Sequence, residues 1–279
     1  MHRVAGFGLL LGWLSVSTAS AATLTLTGVI RDFLPSGTTT GTYNGNVGTG
    51  HDDFESGTIG YGLDSKVVKD ALGADGKPVF DPASGSYNST TTEANFNEWF
   101  NDTSGKNLSL SHSIVLDDTA SPGVYTYESS AFFPIDGQLF GNNAGWDHNF
   151  GFTFELSTTF GYQPGQIFSF MGDDDIFVFI DGQRVINLGG VHAALGQTVD
   201  LDSLGLVAGN NYSLHIFFAE RHTVQSTFKI QTSIAFDQFD QDVAEIHAPE
   251  PASLVLLGTG LVAVAGRARR RWRQAQRLG

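Results

Sequence analysis

The run Gly172-Asp173-Asp174-Asp175-Ile176-Phe177-Val178-Phe179-Ile180-Asp181-Gly182 constrains the fold of this chain more than any other stretch. Ile176–Ile180 is apolar at every position, so a strand here is buried on both faces. The Asp-Gly pair that follows is a two-residue turn signal, which sends an antiparallel hairpin back through Arg184–Leu188. Three adjacent carboxylates stand where the strand begins. Folding brings them together, and their repulsion must be relieved by a cation, by hydrogen-bond donors or by solvent. A hard cation with oxygen ligands, Ca²⁺ above all, is one solution, and a solvated acidic turn is the other.

The strand pattern extends through most of the chain. Thr23–Ile30 alternates and starts the series. From Asn107 onward, Leu108–Leu116, Val124–Tyr127, Phe150–Leu156, Gln166–Met171, Gln197–Leu201, Tyr212–Glu220 and Ser226–Ala235 read as strands, the last two as a pair. In the final one, Phe228, Ile230, Thr232 and Ile234 face one way, and Thr227, Lys229, Gln231 and Ser233 the other. Ser36–Ser56 is rich in Gly, Thr, Asn and Asp and reads as loop, and Asp75–Thr91 is turn-rich. Ser65–Leu72 and Thr92–Phe100 are two short helix candidates, the second with Phe96, Trp99 and Phe100 at helical spacing. Many short strands without crossover helices predict an all-β, antiparallel sandwich or barrel, with one or two short helices in the N-terminal half.

Charge separates the body from the two ends. The formal charge of the 279 residues is −14. Arg3 and six tail arginines (267, 269, 270, 271, 273 and 277) leave residues 22–248 with 8 basic residues against 28 acidic ones. Such a body is repelled by nucleic acid and by anionic lipid and attracts cations, so no nucleic-acid partner is expected. It carries most of the chain's 22 Phe, which excludes a disordered acidic chain. Residues 1–21 read as a secretory signal: His2 and Arg3, then apolar Val4–Val16, then Ala19-Ser20-Ala21 as a small-x-small cleavage site. No cysteine is present, so an exported form holds together without disulfides.

Residues 22–240 form the body and 241–248 a linker. Pro249, Glu250 and Pro251 follow, then uncharged Ala252–Gly266, then the arginine cluster. As a helix, 252–266 spans about 22 Å, short of the roughly 30 Å hydrocarbon core, so it suits a transient anchor. This layout of 249–279 resembles the PEP-CTERM sorting signal of Gram-negative bacteria. The resemblance implies transient inner-membrane anchoring, cutting near Pro249-Glu250-Pro251 by an exosortase, and release to the cell surface, matrix or biofilm.

Within the body, Asn149–Ile234 resembles the PA14 domain, in the variant called fibro-slime. The shared order is Asp173-Asp174-Asp175, the strand, Asp181-Gly182, Arg184–Leu188, Gly189-Gly190-Val191-His192, then Leu206–Tyr212 and two last strands. Arg31-Asp32-Phe33, Asp53-Phe54-Glu55, Phe132–Gly137, His148-Asn149-Phe150 and Ala219-Glu220-Arg221 look like landmarks of the variant, with the PA14 core at about 149–236. The resemblance implies an antiparallel β-sandwich of two sheets. In the sugar-binding yeast adhesins of this superfamily, an Asp-Asp pair joined by a cis peptide binds Ca²⁺, and the metal takes a vicinal diol. Here that pair aligns with Asp173 and Asp174. Asp175 replaces the usual Gly or Ser, as a third ligand or as added charge. Glu220 opens the loop that corresponds to the adhesins' further ligands, though the loop sequence does not match. His192 stands at a family position, as ligand contact or as structural donor. Asn187 and Trp146 are further candidate ligand-binding residues, and Trp146 and Tyr162 serve equally well as packing.

Three functions remain open on these residues. The first is a secreted, calcium-dependent carbohydrate-binding or adhesive module of an extracellular matrix, with a glycan as partner. The second is a structural matrix protein that binds no sugar. The third is a hydrolase. It lacks Gly-x-Ser-x-Gly, His-Glu-x-x-His and a cysteine nucleophile, so the chain is read as a non-enzyme with no catalytic residue.

Overall fold

The computed structural model describes residues 21–82, 90 and 92–236. In chain order its elements are β1 (Thr23–Phe33), β2 (Gly41–Tyr43), β3 (Asn46–Gly48), β4 (Val68–Leu72), β5 (Pro78–Phe80), α1 (Glu93–Glu98), β6 (Asn107–Asp117), β7 (Tyr125–Ser129), β8 (Phe152–Gly161), β9 (Ile167–Gly172), β10 (Asp175–Ile180), β11 (Gln183–Leu188), β12 (Leu195–Asp200), β13 (Asn211–Glu220) and β14 (Phe228–Thr232). The strands pair antiparallel. The all-β expectation holds.

Twelve strands run in the order β12-β9-β14-β7-β6-β1-β8-β13-β10-β11-β4-β5. One seam in this order is thin. β6 and β7 share the single registered pair Asp117↔Thr126, whereas β1 pairs with β6 from Thr23↔Asp117 to Phe33↔Asn107. The sheet folds over at that seam, giving a layer of β12-β9-β14-β7 against a layer of β6-β1-β8-β13-β10-β11. This is the expected two-layer sandwich, made from one folded sheet. Phenylalanines fill the gap. Phe170 of β9 stacks on Phe218 of β13 at 6.3 Å, and Phe132 stacks on Phe228 of β14 at 4.5 Å.

β10 is buried at all six positions, as its apolar run demands. Ile176, Val178 and Ile180 face the core between the layers. Phe177 and Phe179 face a second core on the outer side, shared with Phe33, Phe54, Val67, Val68, Phe96, Trp99 and Phe100. α1 closes that second core. The Thr92 side chain caps it by accepting from the Asn95 N–H at 3.0 Å, and Phe96 faces inward. Packing of this kind holds a helix of six residues that is too short to persist alone.

Three sequence expectations are corrected. Ser65–Leu72 is not a helix; its second half is β4, where β-branched Val67 and Val68 bury against β10 and the sheet edge overrides local propensity. Ser36–Ser56 contains the hairpin β2-β3 across Asn44-Gly45, a turn signal present in the sequence. β13 and β14 do not pair with each other. They lie in opposite layers, β13 between β8 and β10 and β14 between β7 and β9.

Asp32 of β1 is fully buried and ties the 133–150 loop to the sheet. Its carboxylate accepts from the Phe140 N–H at 2.7 Å and from Asn149 Nδ2 at 2.8 Å. Burial outweighs these bonds and raises its pKa from 3.8 to about 7. The folded chain therefore holds a proton that the unfolded chain releases above its ordinary carboxylate pKa. That contribution to stability is present at low pH and is lost as pH rises through about 7. Asp32→Asn should flatten this part of the stability-versus-pH profile between about pH 4 and 7, read by chemical denaturation. An unchanged slope would show that Asp32 carries no proton there.

Candidate functional site

Three connections cross between the layers at one end of the sandwich. Asp173-Asp174 leads from β9 to β10, residues 189–194 lead from β11 to β12, and residues 221–227 lead from β13 to β14. Where they meet, main chain and carboxylates interlock. The Asp173 N–H donates to the Thr227 carbonyl at 3.3 Å, and Thr227 N–H returns a bond to Asp173 Oδ2 at 2.9 Å. Asp174 accepts from the His192 N–H at 3.2 Å and from the Arg221 N–H at 2.8 Å. Its φ of +53° makes the bend. The expected cis linkage is absent, since every described peptide bond is trans. The left-handed Asp174 turns the chain instead, a conformation that short polar side chains tolerate.

Asp175 faces away from this bend. Its Oδ2 accepts from Arg221 Nε at 2.6 Å and lies in ion-pair contact with Nη2 at 2.6 Å, and its Oδ1 accepts from the Gly190 N–H at 2.5 Å. Both oxygens are engaged, so Asp175 serves as the counter-ion of Arg221. Gly190 is held at φ +101°, and a Cβ there would sit 2.3 Å from the Gly62 carbonyl oxygen. Gly190→Ala should therefore destabilise the chain by about 1–3 kcal/mol in a denaturant titration. A neutral outcome would mean that the 189–194 crossing is loosely held.

Two carboxylate oxygens are left over. Asp173 Oδ1 and Glu220 Oε2 are buried without a hydrogen-bond partner among the described residues. Burial raises the pKa of Asp173. Burial, opposed by Arg221 and reinforced by Asp175, raises that of Asp174 to about 7. Glu220 is pushed well above the usual carboxylate range by burial and then by the charges of Asp174 and Asp173. Four buried carboxylates thus share one buried guanidinium, an arrangement that favours protons or a cation.

Above the bend opens a cavity of about 500 Å³ lined by Tyr61, Asp173, Asp174, His192, His222 and Val224, among others. His192 lines it as expected. Its ring nitrogens already face main-chain carbonyls, Nε2 at 3.1 Å from Leu188 O and Nδ1 at 2.9 Å from Ala193 O, so its role is to hold the crossing. Asn187 and Trp146 are not brought to this cavity. Asn187 Nδ2 donates to Ser65 O at 2.5 Å, and Trp146 packs edge-on against Phe150 with ring centroids 5.6 Å apart. Tyr162 is core, its hydroxyl donating to Asp202 at 2.7 Å. Among the described residues, no group of three or more His, Asp or Glu is gathered closely enough to hold a metal by itself. Ala21 is exposed; Ala19, Pro249, Glu250, Pro251 and the apolar stretch 252–266 lie outside the described residues.

The N-terminal half supplies partners to which the sequence reading gave no role. Arg221 is buried, lies 4.5 Å from the Trp99 ring centroid and donates to the Asp53 carbonyl at 3.2 Å. Trp99 Nε1 donates to Asp53 Oδ2 at 3.0 Å. The Glu55 N–H donates to the Arg221 carbonyl at 2.8 Å, and the Glu55 carboxylate accepts from the N–H and hydroxyl of Thr223. Asp53-Phe54-Glu55 and Ala219-Glu220-Arg221 are thus one connected unit. Their appearance as landmarks in the sequence was the available signal.

Known proteins match the chain in two places. Residues 152–242 match the PA14 domain, and residues 247–271 match the PEP-CTERM protein-sorting motif. Among curated relatives, protein psiR of Dictyostelium discoideum is 39% identical over 209 residues, which is 68% of this chain and 20% of that protein. Protein psiQ of the same organism is 39% identical over 198 residues, 66% of this chain and 20% of that protein. The chain thus spans about a fifth of the length of these relatives. Among solved structures, the PA14 sugar-binding domain from an RTX adhesin aligns over 76% of this chain and 94% of that one, at 13% identity and a TM-score of 0.29. The two family models alone make the assignment: the chain carries a PA14 domain at residues 152–242 and a PEP-CTERM protein-sorting motif at residues 247–271.

Proposed function

We propose that this chain is an exported surface or matrix module that binds glycans through Ca²⁺ held at the acidic corner. One observation carries the reading: Asp173 Oδ1 and Glu220 Oε2 are buried without partners beside Asp174, within a set of four carboxylates that shares one guanidinium. Carboxylate oxygens are the donors a hard cation takes, and because no three of these groups are gathered closely enough to hold one as they stand, its binding would draw them together. Asp173 Oδ1 and Glu220 Oε2 would hold it, with Asp174 sharing an oxygen that already accepts a main-chain N–H, while Asp175 stays paired with Arg221. Calcium takes six to eight oxygens, so water and ligand hydroxyls complete a shell that so few side chains leave open. When bound, the ion supplies positive charge that orients a vicinal diol. The sorting motif at 247–271 supports exosortase processing and a surface location, with the signal at 1–21 directing export.

The test is a calorimetric Ca²⁺ titration of the purified body, followed by a glycan array with and without chelator. Expected are one calcium site and array hits that vanish in EDTA. No heat on titration overturns the metal reading. A calcium signal with an empty array overturns glycan binding and leaves the ion structural.

A further inference from the structure

Tyr61 is conspicuous at the mouth of the cavity. It is 64% exposed, yet its ring is not free to turn. Its hydroxyl bonds His222 Nε2, and the two rings meet edge-on at 5.0 Å and 72°. His222 is fixed in turn, because its Nδ1 lies 2.8 Å from the Thr223 carbonyl and donates to it. In the neutral ring, Nε2 is then left to accept the Tyr61 proton. Thr223 is itself clamped by the Glu55 carboxylate. The Tyr61 main chain is tied down as well, through its bridge to Val191 and the bond from Gly62 N–H to Val191 O at 2.8 Å.

The result is an aromatic face presented to solvent and locked at both ends. An exposed tyrosine adds little to a core. A ring fixed at the edge of a cavity loses little entropy when a second flat apolar surface settles on it. The cavity floor is acidic at Asp173 and Asp174, and Val191, Ala193 and Val224 continue the apolar wall. A ligand that satisfies both surfaces has adjacent hydroxyls on one edge and a patch of C–H groups on one face. Pyranose rings have that shape; acyclic polyols have the hydroxyls without the face.

We infer that Tyr61 is the stacking platform of this pocket and determines its selectivity for ring sugars over open-chain polyols, with His222 and Glu55 as the residues that position it. This rests on the glycan-binding reading above. It also places part of the binding site in the N-terminal half, outside the residues that match the PA14 domain.

The experiment uses the calcium-loaded body and three probes: the methyl pyranosides of glucose, galactose and mannose, each compared with glycerol. Tyr61→Ala is expected to weaken pyranoside binding about tenfold while leaving glycerol binding, Ca²⁺ affinity and melting temperature unchanged. Tyr61→Phe, which keeps the face and loses the bond to His222, should fall between Tyr61→Ala and the parent. Equal pyranoside affinity in Tyr61→Ala and the parent overturns the inference alone. Equal losses for pyranosides and glycerol overturn it too, since Tyr61 would then act through the ion. No pyranoside binding by the parent overturns the proposed function and the inference with it.

Discussion

Arg221→Met should lower the melting temperature by roughly 6–20 °C, the largest single-residue effect expected in this fold. The substitution leaves Asp175 as an uncompensated buried charge, which costs about 3–5 kcal/mol. Each kcal/mol moves the midpoint of a domain of this size by about 2–4 °C. The Trp99 face loses its cation and the Asp53 carbonyl its donor in the same step. Methionine keeps most of the volume, so the loss reports charge rather than a cavity. The double variant Arg221→Met/Asp175→Asn should recover much of the loss, because the stranded charge goes with its partner. A shift below about 2 °C in the single variant would mean that the guanidinium contributes no net stability.

Calcium removal is the second large effect. At 100 times its Kd, a ligand of the folded state alone stabilises by about 2.7 kcal/mol, so EDTA should lower the midpoint by roughly 5–11 °C. Asp173→Asn and Glu220→Gln should each abolish the EDTA effect. Neither should lower the chelated protein's own midpoint, because each puts a neutral amide where burial already disfavours the ionised carboxylate. The ion also competes with protons at these raised carboxylates, so the gap between loaded and chelated protein should widen as pH rises. Scanning calorimetry at three pH values reads all of this. A midpoint indifferent to EDTA would refute the proposed site.

The local architecture was legible wherever one rule governed a segment. Ile176–Ile180 reads as doubly buried because no alternation is present, and the structure gives each face of β10 its own core. Phe228, Ile230, Thr232 and Ile234 read as one face because period two is strict there. Segments decided by partners were not legible. Val67-Val68 lies in a window that fits a helix, and only β10 and β11 make it a strand edge. The pairing of β13 and β14 failed because adjacency in sequence stands in for adjacency in space, and the fold at the β6-β7 seam separates them.

The site followed the same division. Asp173 and Asp174 were visible as charges that need relief, and Glu220 only through its place at the head of the loop after β13. Asp175 looked equivalent to its neighbours, and only the position of Arg221 separates it from them. Tyr61, Glu55 and His222 were silent as functional residues, because their roles depend on contacts across more than 160 positions. Trp146 drew attention as an aromatic able to stack on a sugar ring, a property that carries no information about which loop it meets.

The layer crossings have a consequence for how this molecule becomes competent. The groups around the cavity come from residues near 55, 61, 173, 192 and 222, and they meet only after the folded-over sheet has shut. Under the proposed function, a half-assembled intermediate would offer no cradle to an ion, and recognition would report completed folding. The excised segment 152–242 would lack β1 and β6 beside β8, along with the Asp53 and Trp99 groups around Arg221. The functional boundary of this module therefore lies well upstream of its most recognisable stretch, and a minimal expression product should begin near residue 22.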